Sequence, residues 1–91
     1  MNNYESIFII DASLDEEQTK SVVEKFKALI ESSAQLESID EWGKRRLAYP
    51  VNKKNEGYYV LVNFSSGPEF PQELERIYKI TESVIKYIVI K

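Results

Sequence analysis

Tyr58-Tyr59-Val60-Leu61-Val62-Asn63-Phe64 is the clearest strand in this chain, a run of aromatic, β-branched and aliphatic residues with one polar member. Side chains alternate along extended backbone, so Asn63 shares a face with Tyr59 and Leu61, while Tyr58, Val60, Val62 and Phe64 share the other. The wholly apolar set belongs in a core. The trio containing Asn63 belongs on the side away from any covering helices.

Just before this strand, Asn52-Lys53-Lys54-Asn55-Glu56-Gly57 is polar and ends in Gly, the composition of a hairpin connection longer than two residues. The partner strand runs from Leu36 to about Val51, with Ile39, Trp42, Leu47, Ala48, Tyr49 and Val51 in looser alternation. Gly43 inside it signals a bulge or bend, and Pro50 suits a sheet edge, because proline has no N–H to give to a ladder.

Further out, Tyr4-Glu5-Ser6-Ile7-Phe8-Ile9-Ile10-Asp11 reads as a buried central strand. Ser13 with Glu16 three residues on fits a capping box, and Asp15, Glu16 and Glu17 supply the negative charge that a helix start favours. The helix carries Val22, Val23, Phe26, Leu29 and Ile30 on one stripe, opposed by Lys20, Lys25, Lys27 and Glu31, and leaves at Ser32-Ser33. Beyond Phe64, Gly67-Pro68-Glu69-Phe70-Pro71 breaks the chain. Pro71 is tolerated in the first turn of a second helix running through Leu74, Ile77 and Ile80 to Thr81-Glu82-Ser83. Val84 to Lys91 closes as a fourth strand, with Lys86 and Ile88 on one face and Tyr87 and Val89 on the other.

The order β-α-β-β-α-β predicts an α+β, ferredoxin-like sandwich of the split-βαβ kind. Two right-handed crossovers and one hairpin give a four-stranded antiparallel sheet in order 4-1-3-2, with both helices on one face. The open face is expected to carry Ile7, Ile9, Tyr59, Leu61, Lys86, Ile88 and Ile90. Exposed apolar surface of that extent marks an interface.

Composition limits what such a domain can do. The 91 residues are 43% hydrophobic, enough for one core and one domain spanning 1–91. There is no Cys and no His, which removes disulfides, thiol nucleophiles, imidazole chemistry and the usual zinc sites, and no cofactor or metal is expected. No apolar run approaches the roughly 20 residues that span a bilayer, and Met1-Asn2-Asn3-Tyr4-Glu5 lacks a secretory pattern, so a cytosolic protein without membrane contact is expected. A net charge of −3 argues against gripping nucleic acid by bulk electrostatics alone.

Charge is unevenly spread, however. Acids gather at Asp15-Glu16-Glu17 and at Glu69, Glu73 and Glu75, whereas Lys44, Arg45, Arg46, Lys53 and Lys54 lie close together. The stretch Trp42-Gly43-Lys44-Arg45-Arg46-Leu47-Ala48-Tyr49-Pro50-Val51 combines cations with large rings, a chemistry suited to phosphates and bases, although edge strands also use Lys and Arg for protection. Such polarity favours a modest RNA contact assisted by a more basic protein.

The same stretch resembles the Gly-x-Arg-Arg-Leu-Ala-Tyr-Pro-Ile segment of the bacterial ribosomal protein family numbered six in the small subunit. Tyr4-Glu5 and Gly57-Tyr58-Tyr59 fall where that family has similar residues, and the likeness covers essentially the whole chain. Many members continue into a longer polar tail, whereas this sequence stops at Lys91. The resemblance implies a cytoplasmic, non-catalytic constituent of the small ribosomal subunit. Such a protein binds the central domain of small-subunit ribosomal RNA jointly with the basic small-subunit protein eighteen, and takes no small-molecule substrate.

Within that reading, Arg45 and Arg46 are the leading RNA candidates. As strand neighbours they point to opposite faces, so one is expected at phosphate and the other at the partner or in pairing within the sheet. Lys44, with Lys53 and Lys54 at the hairpin tip, are further candidates. Tyr4, Lys86 and Lys91 are expected to converge at the edge shared by the first and fourth strands as a second RNA contact. Trp42, Leu47, Tyr49, Tyr59, Leu61 and Ile88 are the candidates for the protein partner, with packing under the first helix the competing place for Trp42.

Three other functions use this topology. An RNA-recognition motif needs stacking rings on its two central strands, where Ile7, Ile9 and Leu61 stand instead. An acyl-phosphate hydrolase needs an amide cradle with an Arg beside the first strand, and Ile10-Asp11-Ala12-Ser13-Leu14 offers neither Gly nor cation. A dimeric sensing module would pair the open face with its own copy, which the sequence leaves open.

Overall fold

The computed structural model describes the backbone of residues 2–51 and 54–91, and the side chains of these except 47–51 and 54–55. Six elements follow one another: β1 (Asn2–Asp11), α1 (Glu16–Ser33), β2 (Gln35–Val51), β3 (Lys54–Ser66), α2 (Phe70–Ile80) and β4 (Val84–Ile90). The strands form one sheet in the order β2-β3-β1-β4, the expected order read from the other edge, and each neighbouring pair is antiparallel.

Register sets which residues share a face. Tyr4 stands opposite Phe64, Ser6 opposite Val62, Phe8 opposite Val60 and Ile10 opposite Tyr58. With Val84, Tyr87 and Val89 of β4, these form the floor under Val23, Phe26 and Ile30 of α1 and Phe70, Leu74 and Tyr78 of α2, in one core. At its centre the rings of Phe8, Phe26 and Tyr78 lie with centroids 4.7 to 5.1 Å apart. Both helices therefore cover the same side of the sheet, because only that side offers an unbroken apolar surface.

Tyr78 brings a hydroxyl into this core, and its oxygen lies 2.9 Å from Ser6 Oγ on β1. The two hydroxyls satisfy one another where water is excluded. Burial pushes the Tyr78 phenol well above its usual range, and the Ser6 hydrogen bond only partly offsets that.

One local expectation is corrected. Asp15, not Ser13, caps α1: Asp15 Oδ1 accepts from the Gln18 amide at 2.7 Å, and Gln18 Oε1 accepts from the Asp15 amide at 3.2 Å. Ser13 is occupied in the preceding turn, where its amide and hydroxyl both lie 2.9 Å from Asp11 Oδ1. α2 runs through Leu74, Ile77 and Ile80 as expected; it buries Phe70, Pro71, Leu74 and Tyr78, packs Ile77 at the core's margin and leaves Ile80 66% exposed.

Candidate RNA and protein interface

β2 outruns the rest of the sheet. Among the described residues, pairing between β1 and β3 stops at Asp11 opposite Gly57, while Arg46 opposite Glu56 and Val51 opposite Lys54 continue the β2–β3 ladder alone. The hairpin thus leaves the body as a two-stranded ribbon with no helix-bearing sheet beneath it.

Irregularities in β2 fix where its side chains point. Glu41 faces Val60 and Gly43 faces Tyr59, so Trp42 is an extra residue in the ladder. Gly43 adopts φ +84°, backbone that residues with a Cβ rarely take, although a Cβ there would meet nothing within 4 Å. Glycine is needed for conformation, not for space. The extra residue reverses the alternation beyond it: Lys44 faces Tyr58 and Arg46 faces Glu56 on the helix-bearing side, whereas Arg45 faces Gly57 on the open side.

On the open side the bulge turns Trp42 onto Tyr59, with ring planes 12° apart and centroids 6.2 Å apart. Trp42 Nε1 donates to Asp40 Oδ2 at 3.2 Å, and the Arg45 guanidinium lies 5.8 Å from the Trp42 ring centre. Gly57, across from Arg45, is buried. Trp42 is 39% exposed and lies outside the core, so packing under the first helix is excluded.

From this stack an apolar field extends across the open face. Tyr59 neighbours Ile9, which neighbours Lys86; Leu61 neighbours Ile7, which neighbours Ile88. The next row runs from Asn63 through Glu5 to Ile90. Ile88 and Ile90 are about half exposed, at 51% and 46%. Tyr59, Leu61 and Ile88, expected at the partner surface, therefore share one face with Trp42, Arg45 and Lys86.

The helix-bearing side differs in charge. Lys44 and Tyr58 line a cleft of about 700 Å³ with Asp15, Glu16, Glu17, Lys20, Glu24 and Glu41 around it. Tyr58 donates to Glu41 Oε1 at 2.9 Å, and its phenol is raised by burial first, then by this bond and by the charges of Glu41 and Glu16. Lys44 thus stands among carboxylates, in a different field from Arg45.

The second expected RNA contact does not assemble. Tyr4 lies on the helix-bearing side, half-buried, its ring stacked on Phe64 at 5.6 Å, while Lys86 is exposed on the open side opposite Ile9. Five residues of β1 separate their positions, about 16 Å along the strand. Lys91 follows Ile90, which stands opposite Glu5, so it lies at the Tyr4 end of this edge and distant from Lys86. Alternation explains the error: neighbouring strands do not bring together residues of opposite phase. Lys53 and the side chains of Lys54, Leu47 and Tyr49 lie outside the described residues.

Reading the sequence missed one part of the stack, Asp40 as the acceptor for Trp42. Gly43 was the available signal, since it announced the bulge that turns Trp42 to the open face. Among the described residues no group of acids could hold a metal ion, and no helix is long and apolar enough to cross a membrane.

Comparison with known proteins agrees with this architecture. The profile of the family described as Ribosomal protein S6 matches residues 3–91. The small ribosomal subunit protein bS6 of Clostridium novyi is 55% identical over 91 residues, covering 99% of this chain and 96% of that protein. Its counterpart in Caldanaerobacter subterraneus subsp. tengcongensis is 49% identical over 92 residues, covering 100% of this chain and 97% of that protein. The crystal structure of 30S ribosomal protein S6 from Thermotoga maritima superposes with a TM-score of 0.92 at 33% identity, covering 97% of this chain and 84% of that one. With family profile, near-full-length identity and sheet order in agreement, the chain belongs to the ribosomal protein S6 family, a family of structural, non-enzymatic proteins.

Proposed function

We propose that this protein is a structural constituent of the small ribosomal subunit that binds the central domain of small-subunit ribosomal RNA together with small-subunit protein eighteen. Bacterial relatives named as small-subunit proteins support the assembly and a cytoplasmic location. The observation that carries the RNA reading is the root of the ribbon: Arg45, in the last row shared with β1, and Arg46, just beyond it, project from its two faces, where each can meet a phosphate. Lys53 and Lys54 remain candidates on their charge, Lys44 is a secondary one because carboxylates surround it, and Lys86, Lys91 and Tyr4 are further secondary candidates.

The partner is assigned to the open sheet face. Ile7, Leu61, Ile88 and Ile90 offer apolar area there, and Trp42 and Tyr59 are residue types that anchor interfaces. Leu47 and Tyr49 extend the same edge by their place in β2. A chain with net charge −3 gains most from a companion that supplies positive field. Binding of a central-domain RNA fragment, titrated with and without small-subunit protein eighteen, tests this. Strong binding only with both proteins present supports it, and tight binding by the isolated chain to short single strands favours an RNA-recognition-motif mode instead.

A further inference from the structure

We propose that Trp42 and Tyr59 are positioning residues that hold the Arg45 guanidinium on the open side of the ribbon for an RNA backbone phosphate. This inference rests on the RNA-binding function proposed above and assigns its geometry.

Arginine on a free ribbon samples many rotamers, and fixing one when RNA arrives costs entropy. Here the guanidinium carbon already lies over the Trp42 indole, 5.8 Å from the ring centre and within cation–π range. Trp42 is itself held at two points, by the parallel Tyr59 ring beneath it and by the Nε1 bond to Asp40. Stacking uses the flat face of a guanidinium and leaves its in-plane N–H groups free, the edge that meets a phosphate in bidentate fashion. Gly43 completes the arrangement by allowing the bulge that turns Trp42 onto this face. The same stack explains why Trp42 is not itself a platform for a base: Tyr59 and Arg45 already engage its ring.

The test uses the full chain with small-subunit protein eighteen and a central-domain RNA fragment, measuring affinity across a series of salt concentrations. Variants are Arg45→Ala, Trp42→Leu, Trp42→Phe, the Trp42→Leu/Arg45→Ala double variant and Arg46→Ala, with folding checked by circular dichroism. Trp42→Leu should lower affinity about as much as Arg45→Ala, roughly tenfold, and reduce the salt slope by about one unit. The double variant should lose no more than Arg45→Ala alone, and Trp42→Phe, which keeps a ring, should retain most of the slope. Trp42 is the single tryptophan, so Arg45→Ala should also change its emission in the free protein.

Losses from Trp42→Leu and Arg45→Ala that simply add, or a Trp42→Leu protein with the full salt slope, overturn the positioning role while leaving Arg45 at RNA. Unchanged tryptophan emission in Arg45→Ala overturns the stack itself. If neither Arg45→Ala nor Arg46→Ala changes RNA binding, the RNA function of the ribbon fails instead. A loss confined to affinity for the protein partner assigns Arg45 to a carboxylate there and overturns the phosphate assignment.

Discussion

Arg45 and Arg46 are neighbours in sequence and stand on opposite faces of the β2–β3 ribbon, Arg45 across from Gly57 and Arg46 across from Glu56. One flat surface cannot contact both. If each meets its own phosphate, single Ala variants should each reduce the slope of log affinity against log salt by about one unit, and the double variant by about two. Equal slopes for the wild type and the double variant would remove both residues from the RNA site.

Gly43→Ala should destabilise the protein by about 1 to 2 kcal/mol, because its φ of +84° is left-handed backbone that a Cβ disfavours. Denaturant titration measures the loss. Since the bulge also aims Trp42, the emission of that residue should change under conditions where the variant remains folded. A variant as stable as wild type would mean that the bulge relaxes without strain.

Tyr78→Phe should cost about 1 kcal/mol near neutral pH, since it strands the buried Ser6 hydroxyl. Its pH dependence follows from burial. The Tyr78 phenol is raised in the folded state above its ordinary value of 10.0, so above that pH the unfolded chain releases a proton that the folded chain keeps. Stability from this group is therefore complete below pH 10 and falls as pH rises beyond it. Chemical denaturation between pH 8 and pH 11 should show a shallower decline for Tyr78→Phe than for wild type, and parallel declines would contradict the assignment.

Asp15→Ala should destabilise α1 by about 1 kcal/mol through loss of its capping box, and Ser13→Ala should cost less, because Ser13 closes only the exposed turn with Asp11. Thermal unfolding of the two variants gives the order directly. A larger loss at Ser13 would restore the cap to that residue.

Alternation made the sheet legible before any coordinates. Asn63 in phase with Tyr59 and Leu61 placed the open face, and the same parity put Val60, Val62 and Phe64 in the core. Local competition was less legible: Ser13 and Asp15 are both good caps, and only the turn that engages Ser13 chooses between them. The site was the hardest part to read. One extra residue at Trp42 reverses the faces of Lys44, Arg45 and Arg46, so Lys44 lands among carboxylates and Arg45 beside a ring, although both lie in one basic run. Tyr4 and Lys86 fail for the same reason, since adjacency of strands says nothing about face.

Joint binding is the central claim, and the most direct measurement is the affinity of the wild-type chain for a central-domain RNA fragment at fixed near-physiological salt, alone and with small-subunit protein eighteen at saturation. The account predicts weak binding alone and at least a hundredfold gain with the companion, a coupling within the usual range for linked sites. Equal affinity in the two cases, weak or tight, would contradict it.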